Sequence, residues 1–204
     1  SENVAFCDQT AWILNATVLN NILFGRPLVE WALEKTIEAC SLATDLVTLE
    51  DGLSTQIGEK GINLSGGQKA RIALARAVYS SLDLEGMSTQ ETAHAAATAS
   101  TTHAPSVAAA ATGSSSNVNP RTDVIFLDDP LSAVDAHVCD HLFHKCIMDK
   151  DVLGNTTRIL VTHQTQILPH CDAILVMHEG KVQGFFNSYQ ALQESDAGAN
   201  LSML

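Results

Sequence analysis

The residues best suited to chemistry in this 204-residue chain fall in two short runs, Leu64-Ser65-Gly66-Gly67-Gln68 and Asp123-Val-Ile-Phe-Leu-Asp128-Asp129. In the first, a serine is followed three positions later by a glutamine, which is a capping-box pattern. The stretch Lys69 to Tyr79 then places Ile72, Leu74, Ala75 and Val78 on one broad helical face. A helix starting here offers free backbone N–H groups and the positive end of the helix dipole, which together suit a phosphate. Gly66 and Gly67 lack a Cβ, so the main chain itself can touch that phosphate. An ordinary capped helix after a glycine turn would use the same five residues, and the run alone leaves both readings open. The second run is apolar and ends in acids. It fits a fully buried parallel strand with carboxylates at its C-terminal edge, where open α/β sheets bind their ligands.

These runs need a frame. Val4 to Cys7 reads as the end of a short buried strand, with Asp8-Gln9-Thr10 as the loop leaving it. Thr17 can cap a helix through Leu23 that Gly25 ends, and Pro27 opens a second one. Its stripe of Val29, Ala32, Leu33, Thr36, Ile37 and Cys40 is read as core. Asp51-Gly52 marks a turn. Thr157 to His163 is another apolar strand, ending in a histidine. Asp172 to His178, the Glu179-Gly180-Lys181 turn and Val182 to Phe185 form a hairpin, followed by a short helix from Ser188. From Ser81 to about Pro120 the composition turns to Ala, Ser and Thr with almost no large hydrophobe. Such a segment cannot bury enough surface to offset its ordering entropy, so residues 82–120 are predicted to be a disordered insertion.

Composition narrows the function class. At 46% hydrophobic residues the chain can bury one good core. A net charge of −12 argues against a nucleic-acid surface, which needs a basic patch. No apolar run approaches the ~20 residues that span a bilayer. Cys7, Cys40, Cys139, Cys146 and Cys171 are scattered without CxxC spacing, which suits reduced thiols in the cytosol better than a disulfide framework. His137, His141 and His144 share a helical face and could ligate Zn²⁺, but a structural helix is the preferred reading.

Taken together, LSGGQ followed by KARIALARAVY resembles the signature motif of ABC-type ATPases, and other segments match that family in the order it requires. AFCDQTAWILNATVLNNILFG, residues 5 to 25, is similar to the family's Q-loop region, in particular that of the multidrug-resistance-protein (C) subfamily. Asp123 to Asp128 looks like a Walker B strand. DDPLSAVD, ending at Asp135, looks like the D-loop of a first nucleotide-binding domain of that subfamily, and His163 like the H-loop residue. The resemblance implies an α/β, P-loop NTPase-like fold with a mostly parallel sheet. A helical subdomain at residues 10–80 would carry the signature, and residues 121–193 would run from Walker B to the end of the core. It further implies ATP and Mg²⁺ as ligands. Asp128 and Gln9 would hold the metal, with Gln9, Asp129 and His163 at the attacking water and γ-phosphate. Ser65, Gly66, Gly67, Gln68 and Asp135 would bind nucleotide, the signature residues serving the ATP of a partner domain. The implied partners are a second nucleotide-binding domain and the transmembrane domains of an exporter, with this segment soluble at the cytoplasmic face of the membrane.

The sequence departs from the pattern in three places. Asp8 stands where the family commonly has proline, and Asp129 where many members carry glutamate. No G-x-x-x-x-G-K-[ST] loop occurs, so the N-terminal part of such a domain is expected to be missing from these residues, and the isolated chain is expected to be inactive. A chromosome-maintenance or repair ATPase shares the motifs but places a long coiled coil between Q-loop and signature. Here the gap from Gln9 to Leu64 is short and free of heptads.

Overall fold

The computed structural model describes residues 4–59, 63–82, 84, 123–154 and 156–201. The predicted insertion, apart from Leu82 and Leu84, lies outside the described residues. The chain divides after Val161 into two units.

In the first unit three parallel strands form a sheet in the order β1 (Val4–Cys7), β4 (Val124–Asp128), β5 (Thr157–Val161). The register pairs Cys7 with Leu127 and Asp128 with Val161, so all three strands end at one edge. One face of this sheet is covered: Ala5, Cys7, Ile125 and Leu127 are buried. The other face is not. Val4, Phe6, Phe126, Ile159 and Val161 all stand out to solvent, Val4 and Phe6 at 57% and 58%. This corrects the expectation of fully buried strands. An apolar run does not distinguish a strand with two covered faces from one that has a partner layer on only one side.

The covering layer is α4 (Gly66–Ser81), which packs on β1 and on α1 (Val18–Leu23) and α2 (Glu30–Ala39). Beyond the predicted Ile72, Leu74, Ala75 and Val78, the helix also buries Ala73, Ala77 and Tyr79. Three alanines let neighbouring backbones approach closely, and each fully buried leucine contributes ~2 kcal/mol of transfer free energy. Thr17 caps α1 through Asn20 N–H as predicted, but Phe24, in a left-handed conformation, ends it before Gly25. Pro27 does not open α2, which starts at Glu30. The Tyr79 hydroxyl instead donates to the Pro27 carbonyl at 2.7 Å and accepts from Val29 N–H at 3.0 Å, holding the approach to α2 extended. A two-residue antiparallel pair, β2 (Ala16–Thr17) with β3 (Gln56–Ile57), and α3 (Ala43–Thr48) complete the region between β1 and α4. After β4, α5 (Ala136–Leu142) runs into a π-helical turn (Phe143–Ile147) and then α6 (Lys150–Leu153).

The second unit holds the predicted hairpin, β6 (Ile174–His178) antiparallel to β7 (Lys181–Phe186). Glu179 and Gly180 have φ of 49° and 73°, the two left-handed residues of a tight hairpin turn. Ser188 caps α7 (Tyr189–Gln193) by accepting from Ala191 N–H, and α8 (Asp196–Leu201) follows.

Candidate functional site

The capping box forms as the sequence predicts. Ser65 Oγ accepts from Gln68 N–H at 3.2 Å, and Gln68 Oε1 accepts from Ser65 N–H at 2.9 Å. Lys69 N–H already closes the first intrahelical bond to Ser65 carbonyl. The N–H groups of Gly66 and Gly67 come before it, so neither has an acceptor within the helix. Ser65 and Gly66 are exposed, and a β-carbon built on Gly66 would meet nothing within 4 Å. The helix start is therefore open to a ligand at Gly66, which is the property an anion needs.

Gly67 has a different surrounding. A β-carbon there would lie 3.0 Å from the Ala133 carbonyl oxygen and 3.8 Å from Val134 Cγ1. The LSGGQ turn is thus packed on the Leu131–Val134 loop that follows the acidic strand, although some sixty residues of sequence separate them. That loop is set by Asp129. Its N–H donates to Val161 carbonyl at 2.9 Å, extending the β4–β5 ladder by one residue. Its φ then turns to 48° and the chain leaves the sheet. Ser132 closes the turn, donating to Asp129 carbonyl from Oγ at 2.9 Å. Aspartate enters this left-handed region more readily than most residues, which is a local reason for aspartate at position 129. Asp135 ends the loop as the cap of α5, accepting from both Val138 and His137 N–H at 3.0 Å. Those backbone donors, Val138 first, hold its carboxyl below the ordinary aspartate range.

Asp128 sits half-buried at the end of β4, on the open face of the sheet. Gln9 is exposed, two residues past the end of β1 and at the same sheet edge as Asp128. His163 is exposed at the start of the second unit, two residues after Val161. The fold therefore gathers Gln9, Asp128 and Asp129 at one edge, and separately seats the signature turn on the loop ending at Asp135. The histidines of the α5 region have local roles: His141 Nε2 donates to Glu38 carbonyl at 2.9 Å, and His144 lies 3.5 Å from Asp140.

Two arginines and one aspartate that sequence reading passed over organise this region. Asp45 on α3 accepts from Arg71 Nε at 3.1 Å and Nη2 at 2.6 Å, and from Gln68 Nε2 at 3.1 Å. Arg76, further along α4, donates from Nε to Asn21 carbonyl at 2.9 Å and from Nη2 to Asn21 Oδ1 at 3.0 Å. Its guanidinium lies 4.1 Å from the ring centre of Trp12 and 5.3 Å from that of Phe24. Trp12 and Phe24 meet edge to face at 5.7 Å and are both about half exposed. The sequence signal available for the Asp45 cluster was helical spacing: Gln68 and Arg71 share a face of α4 and can meet one partner on whatever packs beside it.

No family model matches the chain. Over 198 residues, 97% of this chain, it is 39% identical to ATP-binding cassette sub-family C member 3 of Homo sapiens. It is 39% identical over 180 residues to ABC transporter C family member 12 of Dictyostelium discoideum, and 42% over 180 residues to Multidrug resistance protein mrp-7 of Caenorhabditis elegans, each match covering 88% of this chain. The chain is homologous to a segment of subfamily C ABC transporters. It spans about a tenth of the length of these curated relatives. Among the described residues no helix is long and apolar enough to cross a membrane.

Proposed function

We propose that this chain forms part of the ATP-binding and ATP-hydrolysing domain of an ABC-type exporter, coupling ATP binding and hydrolysis to transport of organic anions, conjugates or drugs. The observation that carries the reading is the seating of Gly67 on the Ala133–Val134 loop, which joins the LSGGQ turn to the segment that begins at the acidic strand end. The residues fit a magnesium nucleotide: an open helix start for phosphate, and a carboxylate at a parallel-sheet edge for the cation. Mg-ATP supplies the phosphoryl group and the charge neutralisation when bound. Asp128, with Gln9, holds the metal. Asp129 would orient the water on this domain's nucleotide, and for His163, in the second unit, a contact with the γ-phosphate is what the family resemblance implies. Ser65, Gly66 and Gly67 present an O–H and two N–H groups to the nucleotide of a second such domain. The exposed Trp12–Phe24 pair, locked by Arg76, faces the transmembrane partner.

The open apolar face of the sheet and the absence of a phosphate-loop motif support a second statement: the 204 residues alone do not bind Mg-ATP tightly. The test compares ATP-driven uptake of an anionic conjugate into inside-out vesicles by the full transporter, wild type and Asp128→Ala, with calorimetric ATP binding by the isolated chain. Uptake that needs ATP and is lost in Asp128→Ala supports the reading. Uptake unchanged in Asp128→Ala contradicts it, and micromolar binding by the isolated chain contradicts the second statement.

A further inference from the structure

Gln68 belongs to the signature turn, but its side chain is not self-sufficient. A glutamine amide can present either its oxygen or its NH₂ to a neighbour, and the two orientations fill nearly the same space. Only one of them builds the capping box, because Ser65 N–H requires the oxygen. The other end of the amide lies 3.1 Å from Asp45 Oδ1, and a carboxylate can accept only from the NH₂ end. Asp45 is itself held in place. Its second oxygen takes both Nε and Nη2 of Arg71, and the pair is largely buried, with side chains 12% and 17% exposed. The carboxylate therefore points at Gln68 from a fixed position on a different helix.

We propose that Asp45 is a positioning residue for the nucleotide-facing turn, acting through Gln68. It orients the Gln68 amide so that Oε1 faces Ser65 N–H. This fixes the Ser65 backbone and leaves the Ser65 hydroxyl proton and the Gly66 and Gly67 N–H groups directed outward. The inference rests on the proposed function for its consequence in ATP use, but the Asp45–Gln68–Ser65 relay itself does not depend on that function. Asp45 touches neither phosphate nor water and is not a catalytic residue.

The substitution Asp45→Asn keeps the size of the side chain and one acceptor oxygen. Arg71 claims that oxygen, and the new NH₂ group then faces the NH₂ of Gln68, donor against donor. The Gln68 amide turns over and the cap opens. Adding Gln68→Glu reverses this, since one carboxylate oxygen accepts from the new NH₂ group and the other from Ser65 N–H.

The experiment uses the full transporter with Asp45→Asn, Gln68→Glu and the double variant. Amide hydrogen exchange is followed in the peptide covering residues 64–72 without nucleotide, and the ATP dependence of hydrolysis is measured alongside. Asp45→Asn should speed exchange at Ser65 and Gln68 about tenfold and raise the ATP KM about tenfold, with kcat within about twofold, the ratio one charge-assisted hydrogen bond sustains. The double variant should return exchange to within about threefold of wild type. A role for Asp45 only in pairing Arg71 would give no rescue by Gln68→Glu, and that result overturns the proposal. Unchanged exchange in Asp45→Asn overturns it as well. If Asp45→Asn does not accumulate, recovery of folded protein in the double variant supports the relay and its failure counts against it. Absence of ATP hydrolysis by the wild-type transporter would remove the proposed function while leaving the exchange result to decide the relay.

Discussion

Gly67 and Ala133 are in backbone contact: a β-carbon on Gly67 would sit 3.0 Å from the Ala133 carbonyl oxygen, while one on its neighbour Gly66 would stand in open space. Two adjacent glycines of one motif are therefore kept free of side chains for different reasons. Gly67 makes room for this chain's own loop, and Gly66 leaves room for something outside it.

That difference is measurable in stability. Gly66→Ala should be tolerated or slightly stabilising, because alanine favours a helical first turn. Gly67→Ala must push a backbone carbonyl by a few tenths of an ångström, and should be less stable than Gly66→Ala by about 1 kcal/mol. Thermal unfolding of the two variants side by side checks the ordering. Equal stability would show that the loop yields freely.

In the full transporter Gly66 can be set against Asp129. On the proposed function, the Asp129 carboxylate, one methylene shorter than glutamate, would fall about 1 Å short of the water, and displacement on that scale can cost ~10²-fold in rate. The site using Asp129 should then turn over slowly. Asp129→Asn should change steady-state ATPase by no more than about twofold, whereas Gly66→Asp should nearly eliminate it, since a carboxylate there meets phosphate charge in a partly desolvated gap. ATPase and vesicle uptake at matched expression decide this. Equal damage by the two substitutions would contradict a slow site.

Arg76 joins the signature helix to the segment after Gln9 through Asn21, which is fully buried. Arg76→Ala removes both hydrogen bonds to Asn21, leaving its carbonyl without this donor while Leu14 N–H still serves Oδ1, and should cost about 2 kcal/mol. Arg76→Lys cannot reproduce the forked donors or the stacking on Trp12 and should recover less than half of that loss. Denaturant unfolding of the three proteins is the measurement. Full recovery with lysine would mean that charge alone matters.

The five cysteines separate by burial. Cys7, Cys40 and Cys146 lie inside, and Cys139 and Cys171 are partly accessible. Burial pushes the Cys7 thiol up to about 12, with the neighbouring Cys146 adding to it, and burial likewise raises Cys40, whose protonated thiol is further favoured by its hydrogen bond to Cys146. Maleimide at neutral pH should modify Cys139 well before any buried thiol. Stability should respond to alkali in one direction. Between the ordinary thiol value of 9.0 and about 12 the unfolded chain has released protons that the folded chain retains, so folding weakens as pH rises through this window. Cys7→Ala, compared with wild type across that range, should flatten part of the fall.

Much of this protein was legible one segment at a time. The Ser65–Gln68 cap, the Thr17 and Ser188 caps and the Glu179–Gly180 hairpin turn are interactions between residues close together in the chain, so residue type and spacing suffice to specify them. The strands could be located in the same way, from apolar runs bounded by turn residues. Their environment could not. Whether Phe126 and Ile159 are covered depends on which layers surround the sheet, and an apolar side chain reads the same in either case. The contacts that shape the candidate site are also long-range: Gly67 with Ala133, Asp45 with Gln68 and Arg71, Arg76 with Asn21 and Trp12. Each needs two helices, or a helix and a loop, brought together by burial of α4. Hydrophobic burial has no direction, so it sets which helix faces point inward without naming the polar partners that then meet. Only the packed structure decides those.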